Sequence, residues 1–269
     1  MRFKRTALVR PLIVMLLMSV STVSVALPWS AQADSLSALD GVGEHTVCQM
    51  ARYCAAQLIT TTKSNDIVIL IVESQSSPTP SIIDSSGLTF TQRLSDASST
   101  SNFILWEYYA LAVSPLSNDN VTVVDQCCFV KNGMQVFAVH GANTGSIFDA
   151  NLSAPATVSC PGPSCGNCRA DINNPGVCST SIQTSPVDFV IAITAINDAN
   201  LCGHTSTKTG PVVPGFANIS PGTGTFKGDF EVDYAVTSNS QTSVRFNCTG
   251  TDAMAIALDA IALVIHNRT

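Results

Sequence analysis

From Thr46 onward the chain alternates short runs of strand-forming residues with clusters of Ser, Thr, Asn, Gly and Pro, and past residue 33 it offers no amphipathic helical stretch of ten or more residues. A chain patterned in this way can build its core only from strands. Residues 66–72 form a continuous run dominated by β-branched side chains, suited to a strand buried on both faces. Phe230, Val232, Tyr234 and Val236 alternate with Glu231, Asp233 and Ala235, and Val244, Phe246 and Cys248 alternate with Ser243, Arg245 and Asn247. Both stretches have the two-residue period of half-buried strands. Further strands are predicted at 46–61, as a hairpin, and at 88–94, 103–111, 120–125, 133–140 and 187–196. The segment 254–265 is apolar on every face except Asp259, and periodicity alone does not divide strand from buried helix there. Its strand-rich context selects strand. Segments 74–81, 84–87, 197–209 and 220–228 read as turns and long loops. About nine or ten short strands with no helix between them predict an all-β fold, an antiparallel two-sheet β-sandwich or jelly roll with disulfide-tied loops.

The N-terminus is of a different kind. Arg2, Lys4, Arg5 and Arg10 precede a nearly uncharged stretch, 12–27, which is followed by Ala31-Gln32-Ala33, small residues at the spacing of a signal-peptide cleavage site. Residues 1–33 are therefore expected to be a signal peptide and 34–269 a single β-sandwich domain, secreted or held at the cell surface. An uncleaved anchor is the alternative, because the apolar stretch approaches the roughly 20 residues that span a bilayer. The later apolar run, 254–265, is too short for that. Residues 34–269 keep 9 basic and 19 acidic groups, a charge of −10. Such a surface repels phosphate backbones and anionic lipid heads, so neither nucleic acid nor, after cleavage, membrane is an expected partner. With 45% hydrophobic residues, the composition also excludes a disordered chain and a coiled coil.

All ten cysteines, Cys48, Cys54, Cys127, Cys128, Cys160, Cys165, Cys168, Cys178, Cys202 and Cys248, follow residue 33. An even number in an exported chain predicts disulfides. Cys48 with Cys54 has the spacing of a local staple, whereas the adjacent Cys127 and Cys128 would point to opposite faces of a strand and are expected to have different partners. The segment 160–178 gathers four cysteines among Pro and Gly. A thiolate zinc site is conceivable there, with Cys165 and Cys168 as the C-x-x-C half, but the second half of such a site is missing. A disulfide-tied loop is favoured, and no metal or other cofactor is expected.

Motifs for chemistry are few. Gly162-Pro163-Ser164-Cys165-Gly166 matches the G-x-S-x-G elbow in letters, but it lacks the strand before and the helix after. The glycine-rich 222–228 lacks the G-K-[ST] ending of a phosphate loop. His45, His140, His204 and His266 show no short metal spacing. His140 closes a predicted strand, with Asp149 nine residues on, and the two are a candidate ligand site at one end of the sandwich. The plain alternative is a strand-end histidine satisfied by loop carbonyls. Asp229, Glu231 and Asp233 share one face of one strand. They could hold a hard cation, but a solvated face is favoured. N-x-[ST] sequons mark Asn120, Asn151, Asn218, Asn247 and Asn267 as glycosylation candidates.

Several phrases in order, Ser86-Gly87-Leu88-Thr89-Phe90, Trp106-Glu107-Tyr108-Tyr109-Ala110, Phe137 to Gly145 followed by Phe148-Asp149, Asp188 to Ile193, and Gly215-Phe216, give the chain a resemblance. Over about residues 48–265 it resembles a family of secreted or surface β-sandwich proteins, jelly-roll or Ig-like, frequent in archaea and also found in bacteria, whose activity is uncharacterised. The 160–178 segment is longer and richer in cysteine than the resemblance implies. It carries over a fold and no catalytic residue. The expected function is a non-enzymatic structural or adhesive module of an envelope, matrix or appendage. Its partners would be further copies of itself, joined by strand addition with residues 34–46 as donor, or surface glycans. The alternatives are a carbohydrate-binding module using Trp106, Tyr108 or Tyr109, and an extracellular hydrolase in which His140, Asp149, Asp188 or His204 converge.

Overall fold

Alternating side chains produce strands wherever a partner ladder is available, and the described residues contain sixteen. The computed structural model describes residues 38–46, 54–74, 79–97, 104–124, 132–160, 177–185, 187–196, 216–220, 229–237, 241–247 and 254–264. In chain order the strands are β1 (Leu39–Val42), β2 (Glu44–Thr46), β3 (Cys54–Ile59), β4 (Asp66–Ser74), β5 (Ser81–Asp84), β6 (Thr91–Ala97), β7 (Ile104–Ala112) and β8 (Asp119–Val124). There follow β9 (Asn132–Val139), β10 (Ala156–Cys160), β11 (Val177–Gln183), β12 (Asp188–Ile196), β13 (Ala217–Ser220), β14 (Asp229–Thr237), β15 (Gln241–Asn247) and β16 (Met254–Ala262). Every ladder between them is antiparallel. The all-β expectation holds, and 254–265 is strand rather than helix. Of the hairpin expected within 46–61, β3 lies inside the range, while the strand it pairs with, β2, lies almost wholly before it at 44–46. No helix among the described residues is long and apolar enough to cross a membrane.

The strands form three larger sheets and one ribbon. One sheet runs β1-β9-β4-β7-β6, a second β10-β16-β12-β14-β13 and a third β2-β3-β8-β5, while β11 and β15 pair by themselves. The expected nine or ten strands fell short because β1, β2, β5, β10, β11 and β13 were not among them. These are short or rich in Ser, Thr and Ala, and their extended form comes from neighbours such as β16 and β15, which local sequence does not announce.

β4 shows why an uninterrupted apolar run was needed. Its odd residues, Ile67, Ile69 and Ile71, share a buried cluster with Phe137 and Val139 of β9, Phe189, Ile191 and Ile193 of β12, Val232 and Tyr234 of β14, and Ile261 of β16. Its even residues, Val68, Leu70 and Val72, belong to a second cluster with Trp106, Tyr108, Val121, Val123 and Val136. Since successive side chains of a strand point to opposite faces, both faces of β4 must be apolar, and each fully buried Ile or Leu contributes on the order of 1.5–3 kcal/mol.

Polar side chains join the sheets where apolar ones cannot. Gln57 of β3 donates through Nε2 to Met134 O at 2.9 Å and accepts from Val136 N–H at 2.8 Å through Oε1. It thus continues along β9 the ladder that β1 leaves at Val42, with Gly43 N–H donating to Val136 O in between. A Cβ at Gly43 would collide with Val136 and Gln57, so the chain passes this point only as glycine. Cys54, at the start of β3, is disulfide-bonded. The segment 161–176 and the side chains of the other nine cysteines lie outside the description, as do 221–228, His204 and His266.

Candidate functional site

His140 stands at the end of β9, where Gly141 takes φ 76° and turns the chain, a conformation open to glycine and costly to other residues. Its N–H donates to Ala38 O at 2.7 Å. Its ring Nδ1 lies 2.8 Å from Oδ1 of Asp66, the first residue of β4, which is completely buried while the imidazole is 40% exposed. Burial raises the pKa of Asp66, the histidine opposes this, and the neighbouring Asp40 adds to the rise. At Asp40 burial also pushes upward but is outweighed by donation from the Thr62 hydroxyl and the Lys63 and Thr62 N–H groups, so its carboxyl sits below the usual range. The arrangement fixes the ring's orientation and leaves one edge toward the surface, as a general base or a hydrogen-bonding ligand contact requires.

The candidate pairing of His140 with Asp149 is replaced by two separate constellations. From Gly141 the chain runs beside β16, with Val264 N–H on Gly141 O, Asn143 N–H on Ala262 O, Ala262 N–H on Ile147 O and Asp149 N–H on Ala260 O. Ala142 bridges Leu263 and Phe148 bridges Ile261. Asn143 Oδ1 accepts from Gly145 N–H, closing the turn. Asp149 arrives buried, and there it accepts from Asn151 N–H and Ser185 N–H at 2.7 Å each. Its carboxylate neighbour is Asp188, the first residue of β12, onto which the same Ser185 N–H also donates at 2.7 Å. Thus Asp149 and Asp188 do converge, while His140 takes Asp66. The residues that carried the family resemblance most specifically, 141–145 with Phe148-Asp149, are employed in turning the chain and pinning it to β16.

A third constellation was not foreseen. Arg93 grips Asp259 of β16 through two bonds, Nε to Oδ2 at 2.7 Å and Nη2 to Oδ1 at 3.0 Å. Its guanidinium also lies 4.0 Å from the centre of the Phe148 ring. It owes this position to a register shift between Gln92 and Leu94 in the pairing of β6 with β7, which leaves Arg93 as the extra residue. Glu107 of β7 is wholly buried beside the pair, and burial, helped by the charge of Asp259, pushes its carboxyl well above the usual range. Asp259 had stood out as the lone polar residue of an apolar segment, the signal of a buried charge with a partner. Nothing local could have named a residue 166 positions away.

The expectation of a solvated acidic face on β14 is corrected. Glu231 is 9% exposed and Asp233 1%, and Asp233 Oδ1 accepts from Asn218 Nδ2 at 3.0 Å. Burial first, then the adjacent Glu231, pushes the Asp233 carboxyl up to about 8. The reason is that β13 and β12 flank β14 on both edges and its faces are covered. Burial pushes Asp84 of β5 up to about 6, with Asp119 of β8 adding to the rise against an opposing bond from Leu88 N–H.

Among the remaining candidates, His45 is exposed on β2. Trp106 and Tyr108 are buried, and Tyr109 packs edge-on against Phe148, so this trio offers no open platform for a sugar ring. Of the sequon residues, Asn120 and Asn151 are half-buried and Asn218 is exposed, with the Asn151 amide donating to Gln183 Oε1 at 3.1 Å and the Asn218 amide to Asp233. The side chains of Asn247 and Asn267 lie outside the description. Among the described residues no group of three or more His, Cys, Asp and Glu side chains is placed to hold a metal ion. No family model matches the chain, and no curated protein and no solved structure matches it either.

Proposed function

We propose that the chain is a secreted or cell-surface, non-enzymatic structural or adhesive module of an envelope, matrix or appendage, its antiparallel sheets stacked face to face as in a β-sandwich. The observation that carries this reading is how polar side chains are used between the sheets. Arg93 with Asp259, Gln57 with the β9 backbone, and Ser159 with Asp96 each tie one sheet to another. The buried members of these ties, Gln57 and Asp259, resist sliding, because a buried group that lets go finds no water to replace its partner. Export is supported by the basic, apolar and Ala-x-Ala succession of residues 1–33. Disulfides among the ten cysteines and glycans at the sequons belong to the same reading, as does kinship with the uncharacterised β-sandwich family. Self-association through residues 39–46 would have to exchange strands rather than add a free one, since β1 is paired with β9 and β2 with β3 within the chain.

Expression in an exporting host tests the proposal. The recovered chain is expected to begin at Asp34, to contain no free thiol, and to associate with envelope fractions or with itself. A chain with reduced cysteines, or a monomer that ignores envelope fractions at high concentration, overturns it.

A further inference from the structure

At the entry to β12 two carboxylates crowd onto one backbone donor. Ser185 N–H is 2.7 Å from Asp149 Oδ2 and 2.7 Å from Asp188 Oδ2, and both acids are buried. One N–H cannot balance two full negative charges away from water, so the geometry is that of a carboxyl and a carboxylate sharing a proton. Between Ser185 and β12, Val187 is held at φ 76°, a region that β-branched residues avoid. Its N–H donates to Thr237 O, so the strained turn is clamped from both sides.

We propose that Asp149, Ser185 and Asp188 form a proton-operated latch, which holds the 148–153 segment against the start of β12 while one proton is shared and releases it when that proton is lost. What the latch retains is visible in the contacts beyond it. Asn151 Nδ2 donates to Gln183 Oε1, and Gln183 N–H donates to Ser153 Oγ, so the loop and the end of β11 are fastened together behind the acids. Leu152 at the loop's tip is fully exposed and contributes no burial of its own to keep the loop down. The charged groups that face the pair from neighbouring strands are Asp259 of β16, then Arg93 of β6, which is bonded to Asp259, and the buried Glu107 of β7 behind them. The negative charge of Asp259 adds to the cost of a second charge on the pair.

The titration fits the geometry. Burial, then the adjacent Asp149, pushes Asp188 up to about 7. Asp149 stays at about 2 in spite of burial, because Asp188 and the N–H groups of Asn151 and Ser185 donate to it. One proton is therefore held across the acid range and lost as pH rises through about 7. The latch goes beyond the structural role proposed for the molecule and does not depend on it.

Hydrogen exchange of the full processed chain, corrected for intrinsic rates, is the experiment. Protection of amides in 149–155 and 185–187 is expected to fall by roughly tenfold per pH unit between the ordinary carboxyl value of about 4 and the folded value of about 7, and to level off above it, while β4 stays protected. In Asp188→Asn the amide donates to Asp149 at every pH, so protection should persist under alkaline conditions. Wild-type protection that does not change with pH, or an Asp188→Asn protein that loses it as the wild type does, overturns the latch. Should that variant fail to fold, carboxyl carbon NMR of the wild type decides: one acid titrating near 2 and the other near 7 supports the latch, and two ordinary titrations near about 4 overturn it.

Discussion

At Gln57 a side-chain amide takes the place of a strand. Its nitrogen and oxygen engage Met134 O and Val136 N–H as a peptide group would, on the edge of β9 that β1 no longer covers. Gln57→Leu keeps the volume and removes both bonds, leaving a buried N–H and C=O unsatisfied. The expected loss is about 2–6 kcal/mol in a denaturant titration, from one to three for each orphaned group; a change below about 0.5 kcal/mol would show that the amide is dispensable. No sequence pattern marks this glutamine, because its partners belong to a strand 77 and 79 positions away. His140 was legible as a histidine at a strand end, yet its carboxylate was not. Asp66 lies at the head of the run that defines β4, and only the antiparallel pairing of β4 with β9 brings the two together.

Among the elements, β6 illustrates how one irregularity redirects chemistry. Without the extra residue at Arg93, the strand's alternation would place Gln92 and Leu94 on the same face with nothing to aim the guanidinium at Asp259. Arg93→Ala leaves the Asp259 carboxylate buried without its ion partner, and the expected cost is about 3–5 kcal/mol. Arg93→Met combined with Asp259→Leu should recover most of that loss, because two apolar side chains avoid the desolvation that the ion pair suffers. Urea midpoints of the single and double variants check this, and a double variant no more stable than Arg93→Ala counts against it. At the same scale β4 and β12 were plain from their apolar runs, while β16 was read as strand only from its strand-rich context. β5 and β13, four residues each, were not, since a short edge strand is defined by its ladder with β8 or β14 rather than by its own composition.

Over the whole molecule the acids meet other acids. Asp40 with Asp66, Asp84 with Asp119, Glu107 with Asp259, Asp149 with Asp188, and Glu231 with Asp233 account for ten of the 19 acidic residues. In each pair at least one carboxyl is raised, Asp84 to about 6, Asp188 to about 7 and Asp233 to about 8, with Asp66 and Glu107 raised as well. A carboxyl raised above its unfolded value of about 4 binds more protons in the folded state. Its stabilisation is complete below that value and is lost as pH rises through the folded one. Asp40 and Asp149, which are lowered, act in the opposite sense and lose their contribution only as pH falls below about 4. Stability measured by urea titration is therefore expected to peak near about pH 4–5 and to decline steadily toward about pH 8. A midpoint that climbs from acid to neutral pH would contradict the pairing.

The amino-acid order alone determined that the chain makes antiparallel strands and where the long ones lie, because alternation and β-branching are properties of neighbouring residues. It also marked His140 as a strand-end residue and Asp259 as the one polar side chain of an apolar segment. Which partner each received, that Glu231 and Asp233 are covered rather than solvated, and that five acid pairs share buried ground were decided by the stacking and register of strands far apart in the chain. Burial and electrostatic coupling act through space, and their outcome is set only once the sheets have closed over the side chains.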